Sequence, residues 1–382
     1  MKLLTFIFTA ALVAVPLAQA RMIRPEMGAD FSNRTEQTQK TPKVEVLFLL
    51  DTTGSMGGLI QGAKEKIWSI ANEIATGNPR PEIRMGIVAY RDRTDSYITK
   101  VIDLNSDIDQ VYEELLALQA GGGGDGPEHV LKALADAAQK ISWDDDPSAF
   151  RVAYLVGDAP AHLDYNDTPG LESLTKALVA KGVILNTIQC GRNGNTTKQW
   201  RRIARLGDGH FLSIAQNGGV ASIETPFDTE ISRLNRELEG TMLGYGAGRR
   251  HTEEKMRRSE GIARNAPKSA AAERAIFKAV RGFESRDDLL SALSSGEEEF
   301  DEISAADMPA PLKNLSKADQ KKKIAAIEKQ RKGLRQKIGA LSKNRKVFLK
   351  KENAKTGKNK DSFDAKLLES LKEQATNKGL SY

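Results

Sequence analysis

The chain has a single cysteine, Cys190, in 382 residues, so an intrachain disulfide is excluded and stability has to come from packing or bound metal. Long apolar runs are equally scarce. The one at the amino terminus, Leu3 to Leu17, falls short of the ~20 residues that cross a bilayer, and no later segment is apolar enough to do so. Three catalytic signatures are missing: H-E-x-x-H, G-x-S-x-G and the phosphate-cradling G-x-x-x-x-G-K-[ST]. Their absence favours a non-enzymatic reading. The most basic stretch, 317–352, carries one aromatic residue, Phe348, and so offers little on which bases could stack. Nucleic acid is disfavoured as a partner.

What is present begins with an export signal. Lys2 supplies the positive start, Leu3 to Leu17 the apolar core and Ala18-Gln19-Ala20 a small-x-small cleavage site, which predicts a mature chain from Arg21 in the periplasm or the medium. Residues 21–42, polar and containing Pro25 and Pro42, read as a flexible lead-in. Charge then divides the chain. Residues 1–240 hold 25 Lys+Arg against 31 Asp+Glu, whereas 241–382 hold 32 against 20, so an acidic front precedes a basic rear.

Through the front half, strand-like and helix-like patterns alternate. Val44 to Leu50 is an apolar run ended by Asp51, and helix-compatible sequence follows through Ala75. Strands are predicted at Ile83–Tyr90, Tyr97–Leu104, Val152–Val156, Val183–Ile188 and His210–Ile214. Helices are predicted at Ile108–Leu118, Glu128–Ile141, Leu171–Lys181, Thr197–Leu206 and Ile223–Leu238. Near-continuous Val/Ile/Leu strands between helices imply an α/β domain over 43–240, doubly wound, with a mostly parallel sheet covered on both faces. In such sheets ligands bind beyond the carboxyl ends of the strands, where the strand order reverses.

That rule points to Asp51-Thr52-Thr53-Gly54-Ser55 at the end of the first strand. Asp51, Thr53 and Ser55 alternate, so their oxygens can converge in a tight turn while Thr52 and Gly54 point away. A hard divalent cation wants such oxygen ligands. A second strand ends in Gly157-Asp158, and in a 3-2-1-4-5-6 order it would be the neighbour of the first. Between them lies Gly121-Gly122-Gly123-Gly124-Asp125-Gly126-Pro127-Glu128, read as a shaped loop because Pro127 and Glu128 open a helix behind it. The constellation resembles the metal-ion-dependent adhesion site (MIDAS) of von Willebrand factor A domains, whose pattern is D-x-[ST]-x-S, a later loop ligand and a further Asp. Asp51, Thr53, Ser55 and Asp158 match it. The middle loop departs: integrin-like members use Thr there, and this chain has the Gly-Gly-Gly-Asp-Gly-Pro-Glu form of many microbial relatives, with Asp125 as the candidate ligand, directly or through water. The resemblance implies one divalent cation, Mg²⁺ before Mn²⁺ or Ca²⁺. Gly54, Met56, Gly124, Glu128, Arg91, Asp92 and His162 are candidates for the rim around it, while Cys190 reads as a small buried hydrophobe.

The rear reads as a linker with short helices over 241–311 and a basic helical extension over 312–382. Ile324, Ile327, Leu334, Ile338, Leu341 and Phe348 take a and d places of a heptad frame, with Arg331 and Arg345 at the two remaining a places. A second helix, Ser362 to Asn377, could fold back on the first as a hairpin across 356–360, or the extension could form a coiled coil. The resemblance implies a binding module whose ion offers an open position to an acidic residue of a protein partner. A metal-assisted hydrolase and an envelope scaffold acting through its tail are the alternatives. The basic rear could in addition meet an anionic envelope polymer or lipid surface.

Overall fold

The computed structural model describes residues 41–124, 126–219, 223–281, 288–356 and 362–382; the leader expected over 1–20 and nearly all of the lead-in lie outside them. The strands are β1 (Lys43–Asp51), β2 (Glu82–Tyr90), β3 (Thr99–Asn105), β4 (Phe150–Gly157), β5 (Val183–Cys190) and β6 (Asp208–Ile214). They lie in the order β3-β2-β1-β4-β5-β6, so β1 and β4 are neighbours at the switch point. All pairings are parallel except β2 with β3. The loop 91–98 between those two is shorter than the dozen or so residues a crossover needs, so the chain returns as an antiparallel edge.

The helices in chain order are α1 (Gly57–Ala75), α2 (Ile108–Ala117), α3 (Val130–Gln139), α4 (Leu171–Ala180), α5 (Gly194–Leu206), α6 (Asp228–Glu239), α7 (Arg249–Asn265), α8 (Lys268–Arg281), α9 (Leu289–Ser295), α10 (Lys317–Thr356) and α11 (Phe363–Thr376). Two begin later than their patterns suggest. α3 starts at Val130 rather than Glu128, because Glu128 forms a parallel bridge with Ala161, and the His129 Nδ1 caps the helix by accepting from the Lys132 N–H at 3.3 Å. α6 starts at Asp228 rather than Ile223. Pro226 disfavours helical backbone at Thr225, whose hydroxyl instead donates to Asp228 Oδ1 at 2.7 Å.

Strand alternation splits the core in two. Val44, Val46, Phe48 and Leu50 of β1 face one side of the sheet, with α1, α2 and residues of α7, α8 and α11; Leu47 and Leu49 face the other, with α3, α4 and α5. Where the sequence reads a linker with short helices over 241–311, the helices are present but packed on the domain: Ile262 of α7 and Ala270 and Phe277 of α8 belong to the first core, and Phe277 meets Trp68 at 5.5 Å between ring centroids. Small residues hid this, since Ala carries little hydrophobic signal yet lets helices approach closely.

The hairpin or coiled coil expected over 312–382 is likewise replaced by packing against the rest of the chain. Leu334, Ile338 and Leu341 of the α10 seam lie against α6 and α8, and Ile324 and Ile327 against Leu243, Leu289, Met308 and Leu312. The two arginines of the seam are buried in ion pairs: Arg331 with Asp288 and the Thr241 carbonyl, Arg345 with Asp228 and Glu273. α11 turns Phe363, Leu367, Leu371 and Ala375 onto the sheet beside Phe48 and Tyr154. Asn186 of β5 and Gln374 of α11 exchange buried amide hydrogen bonds at 2.9 and 2.8 Å. The chain from Thr41 to Tyr382 is one compact unit. No helix among the described residues is long and apolar enough to cross a membrane.

Candidate functional site

Asp51 is the last residue of β1 and is fully buried. Its Oδ1 accepts from the Thr53 backbone N–H at 2.9 Å and from the Thr53 hydroxyl at 2.6 Å, closing the turn and leaving Thr53 Oγ1 3.5 Å from Ser55 Oγ. Because Thr53 gives its proton to Asp51, lone pairs on Oγ1 stay available. Asp51 Oδ2 is buried with no hydrogen-bond partner among the described residues. Burial drives this carboxyl up to about 7 against the pull of the Thr53 hydrogen bonds, and the nearby Asp158 charge adds to the rise. Thr52 turns away, its hydroxyl contacting the Tyr90 carbonyl at 3.1 Å and the Tyr97 hydroxyl at 2.6 Å.

The neighbouring strand delivers Gly157 and Asp158. A Cβ on Gly157 would stand 3.0 Å from Asp51 Oδ2 and press on the Tyr90 hydroxyl, so only glycine lets β4 end this close to the first loop. Asp158 Oδ2 accepts from the Gln216 side-chain amide at 2.6 Å, and its carbonyl accepts from the Thr196 hydroxyl at 3.0 Å. Glu128 arrives from the third loop, tied to the β4 loop by hydrogen bonds from its N–H to the Pro160 carbonyl (2.9 Å) and from the His162 N–H to its own carbonyl (3.0 Å). Its side chain is buried, Oε2 has no partner among the described residues, and burial, reinforced by Asp51, Asp92, Asp95 and Asp158, pushes its carboxyl up to about 9. Acidic groups thus gather here with no cation among the described residues to offset them, and without one Asp51 and Glu128 hold their protons well above the usual carboxylate range.

The glycine run is shaped, as expected, but by docking rather than by a helix start at Pro127. The Gly121 N–H donates to the Thr52 carbonyl at 3.1 Å, the Gly54 N–H to the Gly122 carbonyl at 3.3 Å, and the Gly123 N–H to Asp95 Oδ1 at 3.0 Å. Gly122 and Gly123 have φ of +79° and +87°, and a Cβ on Gly122 would run into the Asp95 carboxylate. Asp125 lies outside the described residues.

The rim candidates divide. Gly54, the neighbour of Ser55 in the chain, and Gly124 are both exposed. Met56 is instead buried in the core, because the 3₁₀ turn over Gly54–Met56 carries its side chain inward. Arg91 is a buried strut: its Nε donates to the Thr52 carbonyl at 3.0 Å, one terminal nitrogen donates to the Gln119 carbonyl at 2.7 Å, and the guanidinium covers the Tyr97 ring. Asp92 is buried and accepts from the Tyr165 hydroxyl at 2.8 Å. His162 stacks on Tyr165 with ring centroids 4.2 Å apart, and its Nδ1 lies 2.9 Å from Asp164. Cys190 is buried, its thiol pushed up by burial and by Asp158 and Asp51.

Asp95 and Gln216 are the supports that pattern reading undervalued or missed; neither belongs to a local motif, and Gln216 is 58 positions from the carboxylate it holds. Among the described residues no three His, Cys, Asp or Glu side chains are placed to hold an ion by themselves. An ion here would take the hydroxyl oxygens of Thr53 and Ser55 into its set, an all-oxygen environment suited to a hard cation.

Residues 45–226 match the family model described as von Willebrand factor A domain. The chain is 28% identical over 120 residues to alpha-protein kinase vwkA of Dictyostelium discoideum, an alignment covering 31% of this chain and 19% of that one. It is 36% identical over 146 residues to a putative ariadne-like RING finger protein of Acanthamoeba polyphaga mimivirus, covering 38% and 14%. Against von Willebrand factor A domain-containing protein 7 of Homo sapiens it is 32% identical over 114 residues, covering 30% and 12%. The chain therefore spans less than a fifth of the length of these curated relatives. Among solved structures it is similar to proximal thread matrix protein 1 from the mussel byssus, determined with a zinc-occupied MIDAS motif, at 16% identity and a TM-score of 0.37 over 46% of this chain and 43% of that one.

Proposed function

We propose that this protein, whose residues 45–226 match the von Willebrand factor A domain model, is an exported binding module in which one divalent cation links the sheet edge to an acidic group on a partner protein. Asp51, Thr53, Ser55 and Asp158 would hold the ion, with Asp125 completing the third loop directly or through water. Bound there, the ion supplies an electrophilic anchor for a carboxylate. Mg²⁺ is the preferred occupant, because the donors are oxygens and a hard ion that keeps some water suits two carboxylates with two hydroxyls.

The observation that carries this reading is Asp51 Oδ2, fully buried and without a hydrogen-bond partner among the described residues, in a region where the Asp158 charge lifts this carboxyl further and Glu128 is a second buried carboxyl with an unpartnered oxygen. Burying an unpaired ionised oxygen is costly, and a cation is the group that offsets it. Ser55, exposed next to the buried Thr53, gives the side from which a partner could approach. The residues around the ion are read as positioning groups, so the function is binding rather than turnover.

The test is a calorimetric titration with Mg²⁺ and Mn²⁺, paired with recovery of envelope proteins on immobilised wild type and Asp51→Ala, each with and without chelator. Binding of ion and partner that vanishes in Asp51→Ala and in chelator is expected. Partner recovery indifferent to both would remove the cation from the function, and metal-dependent turnover lost in the same variant would make the site catalytic.

A further inference from the structure

We infer that a cavity enclosed by α1, α2, α7 and α8 binds a small carboxylic acid carrying one aromatic ring, at a site separate from the cation loops. The cavity measures about 180 Å³. Most of its lining comes from residues beyond 226, where the family match ends, so the rear helices build it against the front domain. The α2 residues on its wall follow directly on β3, which ends opposite Met85 in the first half of β2, whereas Asp51 pairs with Tyr90 at the end of that strand. The cavity therefore belongs to the edge of the sheet away from the cation loops.

One wall is aromatic and soft. Trp68 and Phe277 stand 5.5 Å apart between ring centroids, tilted by 58°, and Met242 and Met256, both half-buried, line the same space. Rings pack on rings and thioether sulfur packs against ring edges, so this lining favours an aromatic body over an aliphatic chain. Size limits the body to one ring. An apolar cavity of about 150 Å³ takes up benzene, and the room beyond that here suits a carboxyl group on a short stem.

The polar wall selects the charge. Three carboxylates border the cavity, and each is already matched: Asp107 accepts from Arg258 at 3.1 Å, Asp109 from Arg274 at 2.6 and 2.7 Å, and Glu239 from Arg274 at 3.1 Å and Lys278 at 2.8 Å. Lys255 of α7 is left over. It is half-buried at the cavity and has no hydrogen bond or ion pair among the described residues. Trp68 is the second unsatisfied group, 1% exposed, its indole N–H without an acceptor among the described residues.

An ammonium group and an N–H donor bordering one cavity, both unpartnered, call for a charged acceptor, because a buried donor left unpaired is costly. A carboxylate supplies two acceptor oxygens and a single charge. A doubly charged phosphate would meet stronger repulsion from Asp107, Asp109 and Glu239. An apolar ring on Trp68, Phe277 and the two methionines, with its carboxylate toward Lys255, satisfies both walls at once.

The full chain is titrated with phenylacetate, with its neutral isostere phenylacetamide and with the aliphatic acid hexanoate, by calorimetry and by ¹H–¹⁵N spectra of the three indole N–H groups. Phenylacetate is expected to bind more tightly than hexanoate and at least about tenfold more tightly than the amide, and to move the Trp68 signal, which Trp68→Phe identifies. Lys255→Gln should weaken phenylacetate about tenfold or more, the worth of one charge-assisted hydrogen bond, and leave the amide unchanged. Met256→Trp, which fills the cavity, should lose all three. The response of both variants to Mg²⁺ should match wild type, which separates this result from any failure of the cation site. Should Met256→Trp melt at lower temperature, Lys255→Gln and the amide decide. Absence of phenylacetate binding, equal affinity for the amide or for hexanoate, or an unchanged Kd in Lys255→Gln overturns the assignment.

Discussion

Gln216 donates its side-chain amide to Asp158 Oδ2 at 2.6 Å, reaching back from the segment after β6 to the end of β4. A carboxylate aimed by a neighbour ligates better than one left to rotate, and such supporting contacts are worth about 10–100-fold in metal affinity. Gln216→Ala should therefore weaken Mn²⁺ binding within that range, with little change in the melting of the ion-free protein. An unchanged Kd by calorimetry would detach Asp158 from the ion.

Stability of the ion-free protein should fall with rising pH. Burial lifts Asp51 from 3.8 to about 7 and Glu128 from 4.5 to about 9, so both carboxyls hold protons more tightly folded than unfolded. Their contribution is complete below about pH 4 and is lost as pH climbs through 7 and then 9. Mg²⁺ should restore stability over that window, its upward shift of the melting temperature growing with pH. Asp51→Asn should flatten the first part of the decline and abolish the Mg²⁺ shift. Thermal melts at several pH values, with cation and with chelator, check this; a Mg²⁺ shift that shrinks as pH rises contradicts it.

Gly122→Ala tests whether the third loop has to hold its shape. The positive φ and the approach of Asp95 make any side chain costly, by about 1–3 kcal/mol for the backbone alone. Cation affinity should drop together with stability, because the same loop supports Thr52 and Gly54. Gly124→Ala, where a Cβ meets nothing within 4 Å, is the matched control and should leave both nearly unchanged.

Much of this architecture was legible in the sequence. Apolar runs ending at Asp51 and Gly157 and the turn chemistry of Thr53 and Ser55 report local physics, and local physics is what pattern reading captures. The supports were not legible. Arg91 reads as a charged loop residue yet is a buried strut, and Met56 reads as a rim residue yet fills the core, because burial is decided by which distant segment lands on top. The antiparallel return of β3 depended on loop length rather than on residue type. In the rear, the heptad pattern was real, but its partners are α6 and α8.

Arg345 and Lys343 stand two residues apart on α10 and should respond oppositely to mutation. Arg345 is buried, donating from Nε to Asp228 Oδ1 at 2.7 Å and pairing with Glu273, so Arg345→Ala strands two carboxylates and should cost about 3–5 kcal/mol. Lys343→Gln, on the exposed face, should stay within about 0.5 kcal/mol. Urea unfolding of the two variants decides whether α10 is built into the fold or merely rests on it.

The seating of α11 against Phe48 and Tyr154 has a kinetic consequence. A ribosome reading this message finishes β1 early, but the surface that closes over it is made more than three hundred residues later. Until then the part of that side beside Phe48 and Tyr154 is bare and adhesive, although α1, α2, α7 and α8 already cover the rest, so final closure waits for release of the last helix. Fragments cut after 240 would carry the same bare surface permanently and should be recovered as aggregates, however intact the loops after β1 and β4.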